Sequence, residues 1–277
     1  MEASEQKIDS VQRIRESGMR VVRLMHEGDC RYGLADESTV TLISDEPFAA
    51  WEPEGYLPLH EAHLLAPVSP TKVVCVGLNY KNHIAEMGHE TPVEPVIFVK
   101  PSTTVIGPLQ PIVLPEGVGR VDYEGELGIV IGRRTHRASP KQAGENVLGL
   151  CCGNDVTARD LQKIDGQWTR AKGFDGFCPL GPWVATGVEP DDLLLETFVN
   201  GVVKQRARTS DMLFHPYELV SFISNVMTLV PGDVVLTGTP GGIGPLADGD
   251  VVEIRIENVG SLRNPVSLHD GGAIEAQ

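Results

Sequence analysis

The segment VDYEGELGIVIG, residues 121–132, places two carboxylates in a run that is otherwise typical of a buried strand. Residues i and i+2 of a strand face the same side, so Glu124 and Glu126 present their carboxylates together. Asp122 is in phase with them, nearer the start of the strand. Like charges at this spacing are costly at low dielectric constant unless a cation lies between them. The pattern indicates either a divalent-metal site or an edge strand whose glutamates face water.

A third carboxylate follows the next apolar strand, in the segment LGLCCGNDVTARDLQ. Asp155 lies where this strand meets a helix predicted for about residues 157–163, and Arg159 and Gln162 follow on its first turns. Aspartate often caps helices, so a capping role for Asp155 is one interpretation. Asn154 and other nearby side chains offer the same cap, which leaves Asp155 available as a ligand.

Acid–base chemistry is suggested by NYKNHIAEM, where His83 and Glu86 are three residues apart in a helix-prone stretch. A carboxylate beside an imidazole orients the ring and raises its basicity, which suits a general base near neutral pH. The alternative is an ordinary surface pair. Lys100, at a strand end, and Lys172, in a predicted loop flanked by glycine and aromatic residues, are equally compatible with solvated surface charges.

The elements that must position these residues are mostly short strands separated by Gly and Pro. The clearest strands are KVVCVG, VIFVKP, ELGIVIG, VVLTG and DVVEIRI. Helices are predicted only near 79–88, 141–147, 157–163 and 215–229. No internal repeat or regular βαβ alternation is present, which disfavours Rossmann and TIM architectures. We expect an α+β fold, mostly β, built as a mixed β-sandwich roll.

Three segments are expected along the chain. Residues 1–18 are predicted to be a disordered or amphipathic helical extension. Residues 19–70 are predicted to form a small β module followed by a connecting segment rich in Pro and Glu. Residues 71–277 carry all of the candidate site residues and are predicted to form the catalytic domain.

Composition narrows the function classes. The net charge is −15 and no Lys/Arg-rich tract exists, which argues against nucleic acid or an anionic membrane as main partner. No run of 18 apolar residues is present, and the first twenty residues lack an apolar core, so we expect a cytoplasmic protein. Five cysteines without a C-x-x-C motif favour reduced thiols and disfavour a cysteine zinc site. The glycine-rich TGTPGGIG lacks the P-loop pattern, which excludes that nucleotide motif.

Six motifs in this order resemble the fumarylacetoacetate hydrolase family. They are VGLNYKNHIAEM, PVIFVKPST, VDYEGELGIVIG, NDVTARDLQ, WTRAKGFDGFCPLGPW and VLTGTPGGIG, within about residues 73–266. The resemblance implies that Glu124, Glu126 and Asp155 hold one divalent ion, Mg²⁺ or Mn²⁺. Three hard oxygen ligands suit either ion and leave positions open for water and substrate.

The resemblance also implies roles around the substrate. His83 with Glu86 would move protons or activate water, and Lys172 would approach a substrate oxygen. Residues expected to contact the substrate or a lid are Lys100, Arg159, Gln162, Gly238 and Thr239. The segment from about 83 to 91 is expected to be that lid.

Two positions depart from the family pattern. Val76 stands where fumarylacetoacetate hydrolase has a fourth acidic ligand, which argues against fumarylacetoacetate as substrate. Leu78 stands where acylpyruvate-cleaving relatives often carry an arginine, which argues against acylpyruvase specificity.

Taken with these departures, the resemblance favours bacterial members described as 2-hydroxyhepta-2,4-diene-1,7-dioate isomerases or oxaloacetate decarboxylases. We expect a homodimeric enzyme that acts on short 2-oxo-dicarboxylic acids through an enolate stabilised by the metal, with decarboxylation or enol–keto isomerisation as outcome. Hydrolysis of acylpyruvates or fumarylpyruvate-type β-diketo acids is the alternative reaction. The alternative from another class is a non-catalytic protein that binds a metal or a keto acid.

Overall fold

The computed structural model of this chain describes residues 9–88 and 90–268. Strands predominate over helices in these residues, as the sequence predicts. The strands are β1 (Arg20–His26), β2 (Asp29–Ala35), β3 (Thr39–Ile43), β4 (Pro53–Pro58), β5 (His63–Leu64), β6 (Val73–Gly77), β7 (Val96–Lys100), β8 (Val105–Ile106), β9 (Ile112–Leu114), β10 (Val121–Tyr123), β11 (Gly125–Ile131), β12 (Val147–Asn154), β13 (Thr157–Ala158), β14 (Cys178–Ala185), β15 (Leu194–Val199), β16 (Val202–Arg208), β17 (Val234–Leu236), β18 (Gly244–Pro245), β19 (Val251–Ile256) and β20 (Gly260–Leu268). The helices are α1 (Ser10–Ser17), α2 (Lys81–Met87), α3 (Pro140–Asn146), α4 (Arg159–Asp165), α5 (Thr169–Lys172) and α6 (Pro216–Val226).

The described strands form three sheets. The largest has the order β4-β3-β2-β1-β14-β12-β11-β17-β6-β7, with β5 beside β1 and β8 beside β14. A five-stranded sheet has the order β16-β15-β19-β20-β9, and a three-stranded sheet has the order β13-β10-β18. Most neighbouring strands are antiparallel, whereas β6 with β17, β8 with β14 and β9 with β20 run parallel.

Strand β11 lies at the centre of the large sheet and is buried on both faces. On one face, Leu127 and Ile129 join the main core, which includes Leu195 and Ile254 of the five-stranded sheet. On the other face, Val130 belongs to a second core. Burial on both faces explains the nearly continuous apolar sequence of this strand.

The strand predicted over residues 121–132 is interrupted at Glu124. Residues before the break form β10 in the three-stranded sheet, and residues after it form β11 in the large sheet. The side chain of Asn154 explains the break, because its Oδ1 accepts a hydrogen bond from the backbone N–H of Glu124 at 2.9 Å. The single-strand prediction is therefore wrong at the position where the first carboxylate lies.

The strands of residues 19–70 extend the large sheet. Strand β1 pairs with β14 through Arg20 opposite Ala185 and Val21 opposite Val184. The stretch predicted to be a connecting segment contains β4 and β5, which is a correction to the sequence analysis. Val40 opposite Leu57 is one of the pairs that hold β4 in the sheet despite its two prolines.

The amphipathic prediction for the extension is confirmed over α1, which buries Val11 and Ile14. Residues 1–8 of that extension lie outside the described part of the chain. The other predicted helices correspond to α2, α3, α4 and α6. None of the helices in residues 9–88 and 90–268 is long and apolar enough to cross a membrane.

Candidate metal and active site

The candidate site is a cavity of about 170 Å³ at the end of β11 where β12, α2, α4 and α5 meet. The predicted site residues that line it are His83, Glu124, Glu126, Asp155, Arg159, Gln162, Lys172 and Thr239. Glu86, Lys100 and Gly238 are not in the lining, but each contacts a residue that is: His83, Asp155 and Glu126 in turn. The volume is below the roughly 300–1,000 Å³ of sites for drug-sized ligands, which suits a small acid.

Strand pairing brings the three carboxylates together. Gly125 of β11 lies opposite Asn154 of β12, so Asp155 comes next to Glu124 and donates its N–H to the Glu124 carbonyl at 2.9 Å. One oxygen from each of Glu124, Glu126 and Asp155 lies within 4.8 Å of the others. Glu124 and Glu126 are 4% and 1% exposed, which rules out an edge strand with its glutamates in water.

Asp155 does not cap the helix that follows it. Helix α4 begins after Ala158, which makes no side-chain capping bond. The Asp155 carboxylate instead accepts from Lys100 Nζ at 2.5 Å and from Lys172 Nζ at 2.5 Å. Lys100 also donates to the Val156 carbonyl at 3.1 Å, so its charge is buried against Asp155 and is not a solvated surface charge.

Lys172 and Arg159 neutralise Glu124. Lys172 Nζ donates to Glu124 Oε2 at 2.8 Å, and Arg159 Nη2 donates to Glu124 Oε1. Burial favours the protonated acid, yet Lys172 and Arg159 together lower the pKa of Glu124 well below its ordinary value. Lys172 belongs to α5, a single helical turn, so the loop predicted there is wrong.

Glu126 has a different environment. Its Oε2 accepts from the Gly238 N–H at 2.7 Å, and its carboxylate has no cationic side chain within 4.0 Å among the described residues. Burial, followed by the charges of Asp155 and Glu124, raises the pKa of Glu126 well above its ordinary value. A hard divalent cation between the three carboxylates would offset this repulsion, so the residues fit the predicted Mg²⁺ or Mn²⁺.

His83 lies on α2 with its ring buried, so an ordinary surface pair with Glu86 does not describe it. Nδ1 of His83 faces Glu86 Oε2 at 3.5 Å without forming a hydrogen bond. Burial lowers the pKa of His83 below its ordinary value, although Glu124 and Glu86 act in the opposite direction. The ring is therefore a neutral imidazole near pH 7.

Helix α2 rests on the glycine-rich turn. Glu86 Oε2 accepts from the Gly242 N–H at 3.0 Å, and Asn82 Oδ1 accepts from the Gly241 N–H at 3.3 Å. This places the first part of the predicted lid over the cavity. His89, within the predicted lid, is outside the described residues.

Thr239 is held by a network that sequence reasoning did not find. Its hydroxyl donates to the Gly125 carbonyl at 2.9 Å and accepts from Gln205 Nε2 at 2.7 Å, so only acceptor capacity remains for a ligand. Gln205 Oε1 also accepts from the Gly125 N–H at 3.0 Å. A Cβ at Gly125 would lie 2.1 Å from Thr197 Oγ1, which explains the glycine between the two glutamates.

Further residues that were not predicted as site residues also contribute. Asp122 is fully buried and accepts from Arg159 Nε at 2.9 Å and from Arg120 Nε at 2.6 Å. Phe98, Lys163, Trp168, Gly77 and the two departing positions Val76 and Leu78 line the cavity. The sequence analysis noted Asp122, Val76 and Leu78 from their places in the motifs. Phe98, Lys163, Trp168 and Gly77 come close through tertiary packing, which gives no signal in the sequence.

Residues 72–267 match the family Fumarylacetoacetate (FAA) hydrolase C-terminal, and residues 19–67 match Rv2993c-like, N-terminal. The chain belongs to the fumarylacetoacetate hydrolase family. The first match contains the cavity and all of the candidate ligands.

Relatives within the fumarylacetoacetate hydrolase family carry several names. Protein Rv2993c of Mycobacterium tuberculosis is 53% identical over 242 residues, covering 86% of this chain and 91% of that protein. The mitochondrial oxaloacetate tautomerase FAHD2A of Bos taurus is 42% identical over 223 residues, covering 76% of this chain and 71% of that protein. The crystal structure of 2-hydroxyhepta-2,4-diene-1,7-dioate isomerase from Mycobacterium marinum has a TM-score of 0.85 and 48% identity, covering 91% of this chain and 99% of that chain. This likeness confirms the predicted fold class.

Proposed function

We propose that this protein interconverts the enol and keto forms of short 2-oxo-dicarboxylic acids with the help of one divalent metal ion. The observation that carries the proposal is the convergence of three buried carboxylates, Lys172 and a neutral His83 in one small cavity. Similarity to an oxaloacetate tautomerase and to a 2-hydroxyhepta-2,4-diene-1,7-dioate isomerase supports this choice of reaction.

The carboxylates and Lys172 would stabilise negative charge. When bound by Glu124, Glu126 and Asp155, a divalent cation supplies Lewis-acid stabilisation of charge on a substrate oxygen. Lys172 Nζ uses two N–H groups on Glu124 and Asp155, which leaves one for a substrate oxygen. Burial favours the neutral amine, but Asp155 and Glu124 raise the pKa of Lys172 above its ordinary value and keep it charged. A fixed charge in a site shielded from water needs no reorganisation when the enolate forms.

His83 would move the proton. Because Nδ1 faces Glu86, Nε2 is the ring atom left for the substrate. The neutral imidazole accepts a proton from the carbon beside the keto group, and the imidazolium then returns a proton to the oxygen. Glu86, held by the Gly242 N–H, faces the ring, and its charge favours the protonated form of His83.

Two other reactions would also proceed through an enolate. Decarboxylation of an oxaloacetate-like acid also leaves an enolate, which Lys172 would stabilise equally. Hydrolysis of an acylpyruvate requires polar contacts to the rest of the substrate. The side chains of the lining residues Val76 and Leu78 are apolar and do not provide them. Of the three reactions, isomerisation requires the fewest side chains in addition to those that line the cavity.

The test compares these reactions with the same protein preparation. We expect the absorbance of enol oxaloacetate to decay faster than in buffer when Mg²⁺ or Mn²⁺ is present. EDTA should abolish the acceleration, and added metal should restore it. Pyruvate formation and acetylpyruvate cleavage are measured in parallel.

Each contrary outcome favours a named alternative. Faster acetylpyruvate cleavage without enol decay would make the protein a hydrolase, and pyruvate formation at the rate of enol loss would make it a decarboxylase. Metal-dependent stabilisation of the fold without turnover of any 2-oxo acid would favour a binding protein.

A further inference from the structure

The cationic side chains of the cavity differ in how many carboxylates they already contact. Arg159, Lys163 and Lys172 all line it. Lys172 is bound to two carboxylates of the metal site, and Arg159 is bound to Asp122 and Glu124. Lys163 has no carboxylate within 4.0 Å in the part of the chain that the structure describes. Lys163 is exposed, and it is the one cation of the lining that no carboxylate of the described residues neutralises.

The amide of Gln162 is oriented by its neighbour. Arg159 Nη1 lies 2.6 Å from Gln162 Oε1, and because a guanidinium can only donate, the contacted atom must be the amide oxygen. The amide nitrogen therefore keeps both N–H groups for another acceptor. Gln162 lines the cavity directly beside Lys163 on α4.

The other lining groups outside the carboxylate cluster offer little to an anion. Val76 and Phe98 are apolar walls, and Trp168, whose indole N–H is a single donor, packs edge to face with Phe98 at 5.2 Å between ring centroids. The Thr239 hydroxyl proton is directed to the Gly125 carbonyl. Gln162 and Lys163 therefore place two free donor groups side by side on α4.

We propose that Gln162 and Lys163 form a subsite for a second carboxylate, at the end of the substrate remote from the metal ligands. The subsite makes the protein select 2-oxo-dicarboxylic acids over 2-oxo-monocarboxylic acids of the same length. The inference rests on the proposed function for where the reacting end of the substrate lies. A molecule with a net charge of −15 needs such a local cation to hold a dianion.

The experiment measures binding of a matched pair of ligands to the full chain supplied with Mn²⁺. 2-Oxoglutarate and 2-oxovalerate differ only in a carboxylate and a methyl group at the remote end. Calorimetry should give at least about 10-fold tighter binding of 2-oxoglutarate, as expected for a charge-assisted hydrogen bond. Lys163→Gln should remove most of that preference and leave the affinity for 2-oxovalerate within about 2-fold.

Two further variants separate position from charge. Lys163→Arg keeps the cation and should retain the preference. Lys141→Gln removes one positive charge from an exposed position on α3 outside the cavity and should change neither affinity.

The outcomes distinguish this inference from the proposed function. A wild-type protein that binds neither keto acid or shows no preference would overturn the subsite, and so would a Lys163→Gln protein that weakens both ligands equally or keeps the full preference. Loss of preference in Lys163→Gln, together with no enol–keto conversion of oxaloacetate by the wild-type protein, would support the subsite and refute the reaction.

Discussion

At the scale of single residues, the chemistry depends on groups whose charge is set by burial and by close partners. His83 is neutral because burial opposes its protonation, and Glu124 is ionised because Lys172 and Arg159 contact it. Glu126 has no such partner among the described residues, which leaves its carboxylate available to a divalent cation. These three states are the ones that proton transfer beside a metal ion requires.

Replacing His83 tests the proton-transfer step. We expect His83→Gln to lower kcat for enol–keto conversion by about 10²–10⁴-fold, the usual contribution of a general base. The affinity for Mn²⁺ should stay within about 3-fold, because His83 is not among the candidate ligands. Stopped-flow absorbance of the enol and a metal titration check the two parts.

The pH dependence gives a second readout of the same residue. A base must be unprotonated, so kcat/KM should rise with pH and level off above the pKa of His83, which lies below 6.5. His83→Gln should lose this acid limb. Glu86→Gln is the matched control and should shift the limb to lower pH, since Glu86 favours the imidazolium. An unchanged limb in His83→Gln would assign it to another group.

Motif spacing left several interpretations open, and only with the family resemblance did the sequence predict the residues that meet in the cavity, without all of their partners. Glu124, Glu126, Asp155 and Lys172 stand in recognisable segments of sequence. The Thr239 hydroxyl donates to the Gly125 carbonyl and accepts from Gln205, a residue of the five-stranded sheet. A hydrogen-bond network of this kind depends on tertiary contacts that spacing does not encode.

At the scale of elements, strand and helix types were predictable, whereas breaks were not. Alternation and apolar content predicted β6, β11 and β19. The same apolar run hid the break at Glu124, because a single side-chain acceptor on Asn154 replaces a ladder bond there. The one-turn helix α5 was missed because four residues are too few to give a periodic signal.

Asp233 links the starts of the parallel strands β6 and β17, which run toward the site. It is fully buried before β17 and accepts from Lys72 Nζ at 2.5 Å, Thr71 Oγ1 at 2.7 Å and the Val230 N–H at 2.9 Å. We expect Asp233→Ala to lower the free energy of unfolding by about 3 kcal/mol, because several buried donors lose their acceptor. Urea denaturation measures the change.

The matched control is Asp233→Asn, which keeps one acceptor oxygen and should lose less stability than Asp233→Ala. Equal losses in the two variants would show that charge alone holds this junction. No loss in either would show that the hydrogen bonds to Asp233 do not stabilise β6 and β17.

At the scale of the whole molecule, a strongly acidic chain concentrates its buried cations around one cavity. Two lysines and one arginine are matched to the carboxylates there, and a divalent cation would leave an excess of positive charge for an anionic substrate. The mostly-β architecture was predictable from short strands and Gly/Pro spacing. The extension of the large sheet by β1–β5 was not, since strand order depends on long-range pairing.

The central claim is that Glu124, Glu126 and Asp155 hold one divalent cation, and Mn²⁺ titration followed by electron paramagnetic resonance tests it most directly. We predict one bound Mn²⁺ per chain. Glu126→Gln should weaken its binding by more than about 10-fold, because even hydrogen-bond partners of metal ligands contribute 10–100-fold. Asp165→Asn, which alters a carboxylate paired with exposed Arg170, should bind normally. Absence of Mn²⁺ binding by the wild-type chain, or equal binding by Glu126→Gln, would contradict the account.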